Sequence, residues 1–249
     1  MNFKDFYLDE SINDKSLFKV IFLAGGPGSG KSFISKLAFA GEPVVYISSD
    51  TFTEILLRKE NLPLVYNKGD IETYNKQQSI RNKSINLTTN RLLNHINGML
   101  SIVIDGTGRD YDKIFKLREN LKDVGYDSYM VFVNTSLDVA RKRNQERKRK
   151  LSEDDVIKAW HNVQENIGKF QSLFGNENFI VIDNNKKLDE TEIKKLELIL
   201  NRMARKFLNE PLKNIVGKNT LLKMKKMGAQ YLSDLDTNII KKNPDRFAM

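Results

Sequence analysis

Short apolar runs alternate with longer amphipathic stretches along this chain. Phe18 to Ala24 is a β-branched and aromatic run that stops at Gly25. Val44 to Ile47, Ile102 to Ile104, Tyr129 to Val133 and Phe179 to Ile182 are four further strand candidates of the same kind. Helical spacing fills the intervals. Lys31 to Phe39 carries Phe33, Leu37 and Ala38 at helical spacing and is ended by Gly41 and Pro43. A helix is predicted from Thr51, a long polar one from Glu72 to His95, and another from about Tyr111 to Leu121, closed by Gly125. Further helices are predicted from Ser136, from Glu153 to Phe174, and from Thr191 to Phe207. The last has Ile193, Leu196, Leu198, Ile199 and Met203 as a broad apolar stripe. Asn61 to Asp70, with Pro63 and Gly69, reads as a loop. Strand and helix in alternation predict an α/β fold, a parallel sheet sandwiched between helices. Its ligand is expected at the carboxyl ends of the strands.

The ends of the chain read differently. Residues 1–16 are mixed and polar after Phe3, Phe6, Tyr7 and Leu8, and predict a short N-terminal arm. Pro211 breaks the last helix of the main domain, 17–210. Residues 211–249 form a basic C-terminal extension with eight Lys or Arg against three Asp. Within it, Asn219 to Met227 can form an amphipathic helix with Leu221, Leu222, Met224 and Met227 on its apolar side. Packing on the main domain, docking of a protein partner and contact with nucleic acid are its three readings. Tyr231 and Leu232 to Leu235 offer anchors for any of them.

Composition narrows the chemistry. With 249 residues and 40% apolar content, the chain can bury a sizeable core. It has no cysteine, which excludes disulfides, Cys-ligated zinc and a thiol nucleophile. His95 and His161 are its only histidines, too few for a histidine-rich metal centre. Magnesium stays open, because it takes oxygen ligands and substrate phosphates. The net charge of +9 favours anionic partners, nucleotides or nucleic acid. No apolar run is long enough to span a membrane, and the opening residues lack a signal core, so a cytoplasmic location is expected.

Gly25-Gly26-Pro27-Gly28-Ser29-Gly30-Lys31-Ser32 satisfies the phosphate-loop spacing, with a strand before it and a helix after it. Glycines let the backbone turn tightly and aim N–H groups at phosphate oxygens, and the following helix adds its N-terminal donors. Gly26, Gly28, Ser29, Gly30, Lys31, Ser32 and Phe33 are thus the candidate ATP-binding residues. Lys31 is expected to reach the β- and γ-phosphates, and the Ser32 hydroxyl to ligate Mg2+. Asp105 closes the apolar run SIVID and is the second candidate metal ligand, or else a cap for the following turn.

Three features point beyond nucleotide binding. Asp50 ends YISSD, where a carboxylate can orient or deprotonate an acceptor hydroxyl; it can also cap the next helix. Arg141 to Lys150 has seven basic residues in ten. Such a segment can close over ATP and set guanidiniums on the transferring phosphoryl, or form a solvated face or a nucleic-acid patch. Arg141, Arg143 and Arg147 are its candidates, and Arg143 and Arg147 share a face if 141–150 is helical. Arg109, in DGTGRD, can bind an acceptor phosphate or pair with Asp110 or Asp112. The insert Tyr66 to Asn90, containing Arg81, can wall an acceptor pocket.

GGPGSGKS, VVYISSD, VIDGTGRD and VFVNTSLDVARKRNQERKRK together resemble the zeta-toxin and polynucleotide-kinase-like branch of small P-loop kinases, over roughly residues 18 to 183. The resemblance implies a P-loop NTPase fold, ATP and Mg2+ as cofactors, and transfer of the γ-phosphate to a hydroxyl. It implies Lys31 and Ser32 as the phosphate-binding Lys and the metal-binding hydroxyl. Asp50 matches the residue that activates the acceptor, Asp105 the strand-end carboxylate, and Arg143 the lid arginine. Zeta-type members phosphorylate UDP-N-acetylglucosamine and polynucleotide kinases a 5′-hydroxyl end. The chain has Asp50-Thr51-Phe52-Thr53 where the polynucleotide branch has a DxxR arrangement, and its next Arg is Arg58, which favours a small phosphorylated or nucleotide-sugar-like acceptor. A third reading is a nucleotide-binding interaction protein that docks a partner through its extension. The short arm and the Lys- and Asn-rich chain resemble small proteins of tailed bacteriophages, which would place it in the host cytoplasm.

Overall fold

The computed structural model describes residues 14–147, 150–227 and 244–247. Five strands form one parallel sheet: β1 (Lys19–Ala24), β2 (Val45–Ile47), β3 (Ile102–Asp105), β4 (Asp127–Asn134) and β5 (Phe179–Asp183), in the order β2-β3-β1-β4-β5. The helices between them are α1 (Lys31–Phe39), α2 (Ser49–Lys59), α3 (Ile71–Asn97), α4 (Tyr111–Asp123), α5 (Leu137–Glu146), α6 (Glu153–Phe174), α7 (Glu190–Asn209) and α8 (Ile215–Met227). Among the described residues no helix is long and apolar enough to cross a membrane.

β1 is central and buried along its whole length, pairing Val20 with Ile102 on one side and Leu23 with Val131 on the other. That explains why KVIFLA reads as a nearly continuous apolar run: helices cover both faces. Its period of two divides the core. Val20, Phe22 and Ala24 face Leu92, Leu117, Phe170 and Phe174 of α3, α4 and α6, whereas Ile21 and Leu23 face Ile34, Ala38, Leu200 and Phe207 of α1 and α7. Of the described helices, five are fixed by side-chain caps, including α4, α6 and α7. Asp110 accepts from Lys113 N, Ser152 from Asp155 N, and Asp189 and Glu192 form a capping box. Parallel strands bring the turns after β1, β2, β3, β4 and β5 to one edge, and chemistry is expected where the path reverses direction at β1.

Several boundaries and faces depart from the sequence expectations. The core side of α1 is Ile34, Ser35, Ala38 and Phe39, and Phe33 is exposed. On α7, Leu198 and Ile199 are exposed, because the buried line runs through Leu200, Ala204, Phe207 and Leu208. The helix after β2 begins at Ser49, so Asp50 lies in its first turn and is not its cap.

The helix of the extension starts at Ile215, four residues earlier than expected. Asn214 Oδ1 accepts from Val216 N (2.9 Å), and the Asp127 carboxylate accepts from Lys213 N (2.8 Å) and Asn214 N (2.9 Å). Met224 is buried and Leu221 packs against the core, but Leu222 is exposed. Phe247 is buried, and Arg246 pairs with Asp123 (2.8 Å). The N-terminal residues through 13, the side chain of Met227, and Tyr231 and Leu232 to Leu235 fall outside the described residues.

Asp127 also pairs with Lys19 (3.1 Å), whose side chain is 1% exposed at the base of β1. Asp127→Ala removes the partner of a buried cation and the acceptor for the α8 lead-in. Its expected cost is about 3–5 kcal/mol, read from the denaturant midpoint.

Candidate active site

The phosphate loop connects β1 to α1. The turn after β3 braces it: Gly106 N donates to Leu23 O (3.0 Å) and Gly25 N to Thr107 O (3.1 Å). Gly28 and Gly30 adopt φ of 76° and 85°, which L side chains seldom take. Their hydrogens face neighbours at close range. A Cβ on Gly28 would stand 2.5 Å from Ala140 O of α5, and one on Gly30 would collide with the Asn184 amide. Ile34 N bonds Gly30 O (3.0 Å), so α1 starts directly off the loop and presents its N-terminal donors there. Ser29 is buried, and its Oγ has no hydrogen-bond partner among the described residues.

Lys31 Nζ donates to Gly25 O (2.7 Å) at the loop's start. Burial pulls its amine below the usual lysine range. Asp105 opposes that shift, Arg147 adds to it and Asp50 opposes it. These four groups therefore share one electrostatic neighbourhood, drawn from the turns after β1, β2 and β3 and from the end of α5. Burial holds the Asp105 carboxyl above the usual carboxylate range, with Lys31 opposing and Asp50 adding. A raised carboxyl lends stability below its unfolded-state pKa, and that stability is lost as pH rises through the folded-state value. Asp105→Asn keeps the shape of the neutral acid. It is expected to raise the thermal midpoint by a few degrees near neutrality, and that gain should vanish on acidification, as the wild-type carboxyl takes up its proton. A melting series against pH checks this.

The residues present suit magnesium with a nucleotide. No group of three His, Cys, Asp or Glu gathers among the described residues. The Ser32 hydroxyl and the Asp105 carboxylate flank a loop shaped for phosphates. Magnesium is held by one or two protein oxygens together with substrate phosphates, not by an all-protein cage.

The basic segment after β4 divides into three parts. Arg143 Nη1 donates to Asn184 O (2.8 Å) and faces the loop. The Arg141 guanidinium is paired with Glu153 at the start of α6. Arg147 has left the helix, contrary to the expected shared face with Arg143. α5 stops at Glu146, and Arg147 is extended (φ −79°, ψ 146°). The reason is local: Asn144 donates to Leu151 O (2.9 Å) and accepts from Leu151 N (3.1 Å), clasping the turn that follows. Lys148 and Arg149 fall outside the described residues.

Arg109 is exposed and lines an open cleft of ≈ 460 Å³ with Tyr111, Asn162, Glu165 and Lys169. Arg81 is exposed in the middle of α3. No described contact joins either to the phosphate loop. Three residues of the surroundings went unread in the sequence. Trp160 lies over Gly26 and donates to Thr135 O (2.8 Å). Asn166, buried, holds Gly108 O and Arg109 O, each at 3.1 Å. Asn184 donates to Ser29 O (2.7 Å). Asn184 had a signal, since it directly follows the fifth strand, at the edge where ligands bind. Trp160 and Asn166 had none, because both contacts cross long stretches of sequence.

A profile of the family described as Zeta toxin matches residues 7–196. No curated protein sequence matches the chain. Among solved structures, a chain from the characterisation of the PezAT chromosomal toxin–antitoxin system of Streptococcus pneumoniae is 17% identical. The alignment covers 93% of this chain and 98% of that one, with a TM-score of 0.50. A gluconokinase from Sinorhizobium meliloti is 17% identical, covering 76% and 95% at a TM-score of 0.43. Shikimate kinase from Acinetobacter baumannii is 14% identical, covering 77% and 98% at 0.44. The profile spans well over half of a sequence that carries the phosphate loop on a parallel five-stranded sheet, and the chain belongs to the zeta toxin family of P-loop kinases.

Proposed function

We propose that this kinase moves the γ-phosphate of ATP to a hydroxyl of a small phosphorylated or nucleotide-sugar-like acceptor. The observation that carries the reading is that Asp50, just past β2, and Asp105, at the end of β3, both act electrostatically on Lys31 of the phosphate loop. The acceptor oxygen attacks the γ-phosphorus, the new O–P bond forms, and the bond to the β-phosphate oxygen breaks, its electron pair leaving with ADP. Asp50 orients the attacking hydroxyl and takes its proton. A carboxylate is a modest base, so orientation counts as much as abstraction. Lys31 and the loop N–H groups hold the β- and γ-phosphates, with Gly26, Gly28, Ser29 and Gly30 supplying the cradle. Ser32 and Asp105 would hold magnesium, which neutralises phosphate charge when bound. Arg143 and Arg147 stabilise charge on the transferring phosphoryl, and Arg141 anchors their segment through Glu153. Arg109 recognises the acceptor's own phosphate from the turn after β3.

The test is transfer of labelled γ-phosphate from ATP to a panel of UDP-sugars, nucleosides, nucleotides and 5′-hydroxyl oligonucleotides, with Lys31→Ala as control. A labelled UDP-sugar or nucleotide that disappears with the variant is the expected result. Labelling of oligonucleotides alone would replace this acceptor class with a nucleic-acid end.

A further inference from the structure

Asn184 stands just past β5, buried, and is bonded three ways. Its N–H donates to Asn134 O (2.9 Å), its own C=O accepts from Arg143 Nη1 (2.8 Å), and its side-chain Nδ2 donates to Ser29 O (2.7 Å). The last bond has a geometric consequence. The Ser29–Gly30 peptide is trans, so its C=O and N–H point in opposite directions. Holding Ser29 O on Nδ2 turns the Gly30 N–H away from Asn184, and no backbone carbonyl among the described residues takes that N–H. The same amide packs closely on Gly30, where at φ 85° a Cβ would collide with Nδ2, so only glycine fits beneath it.

We propose that Asn184 is a positioning residue that aims the Gly30 N–H at a nucleotide phosphate and, through its carbonyl, keeps the Arg143 guanidinium beside the same phosphate. One residue thereby sets the register between the phosphate loop and the arginine-bearing helix α5, from a third element that itself touches no phosphate. This deepens the kinase reading and rests on the loop being an ATP cradle. A residue that merely filled space at this position would affect stability but would not couple to Arg143.

The experiment compares wild type, Asn184→Ala and the similarly shaped Asn184→Leu, both of which lack the N–H donor, each checked for a native circular dichroism spectrum. Titration with MgATP in the absence of acceptor is expected to show binding weakened about tenfold or more in both variants. In turnover, KM for ATP should rise with KM for the acceptor unchanged. The combined loss in Asn184→Ala/Arg143→Ala should be smaller than the product of the single losses. Wild-type ATP affinity in either folded variant, or multiplicative losses in the double variant, overturns the proposal. If wild type binds ATP but phosphorylates no acceptor, the proposed reaction fails while the titration still decides the role of Asn184. A wild-type chain that does not bind ATP overturns both.

Discussion

Asp50→Asn should lower phosphate transfer by about 10²–10⁴-fold, the range expected for a positioned general base, while ATP binding stays close to wild type. The separation follows from where the groups come from. The phosphate loop is formed by the turn after β1 and the start of α1, with the flank of α5 packed on it and Asn184 bonded to Ser29 O from beyond β5. Asp50 arrives from the other side of β1, in the first turn of α2, and reaches this cluster electrostatically. Asn keeps the volume and one oxygen, so the change falls on charge and basicity and not on packing. Single-turnover transfer beside equilibrium titration of MgATP gives both quantities. Undiminished acceptor turnover in the variant would remove Asp50 from the reaction. A parallel loss of ATP affinity would make it part of the cradle.

The second large effect is expected at Gly28. Both Gly28 and Gly41 hold φ at 76°, so alanine brings left-handed backbone strain to each, about 1–3 kcal/mol. Their surroundings differ. A Cβ at Gly41 meets nothing within 4 Å, whereas one at Gly28 would sit 2.5 Å from Ala140 O and 3.1 Å from Ala140 Cα. Those are backbone atoms of a helix, which no rotamer change can move aside. Gly28→Ala must push α5 off the loop, and Arg143 with it. Loss of measurable ATP binding together with a lower melting point is expected for Gly28→Ala, against a modest drop in melting point and intact binding for Gly41→Ala. Equal behaviour of the two variants would mean that close contact between loop and α5 is dispensable.

What the sequence disclosed and what it hid divide along a physical line. The strands and the phosphate loop are local: a β-branched run, then a fixed glycine spacing, then a helical period, all within a dozen or so residues. The placement of Asp50 and Asp105 was legible because Asp105 ends β3 and Asp50 follows β2 by three residues, and parallel strands deliver their ends to one edge. Features fixed by distant partners were not. The early start of α8 depends on Asp127, more than eighty residues upstream, which receives the N–H groups of Lys213 and Asn214. The stop of α5 depends on Asn144 preferring the backbone of Leu151 to a solvent-facing place in a longer helix. Leu198 and Ile199 look like core by type alone, but the face that α7 turns to the core runs through Leu200, Ala204, Phe207 and Leu208. The division into an arm, a kinase domain at 17–210 and an extension remains our proposal for the chain's organisation; Met224 and Phe247 show that the extension contributes to the same core.

The indole that covers Gly26 belongs to the only tryptophan in the chain. Its N–H is tethered to Thr135 O just past β4, so the ring is held close to the phosphate loop, whose electrostatic surroundings change when phosphate arrives. The molecule thereby carries an intrinsic fluorophore beside its phosphate loop. Emission excited selectively at tryptophan reports one place and nothing else, and a shift in its intensity or wavelength on adding ligand gives occupancy in real time, without dye, label or acceptor.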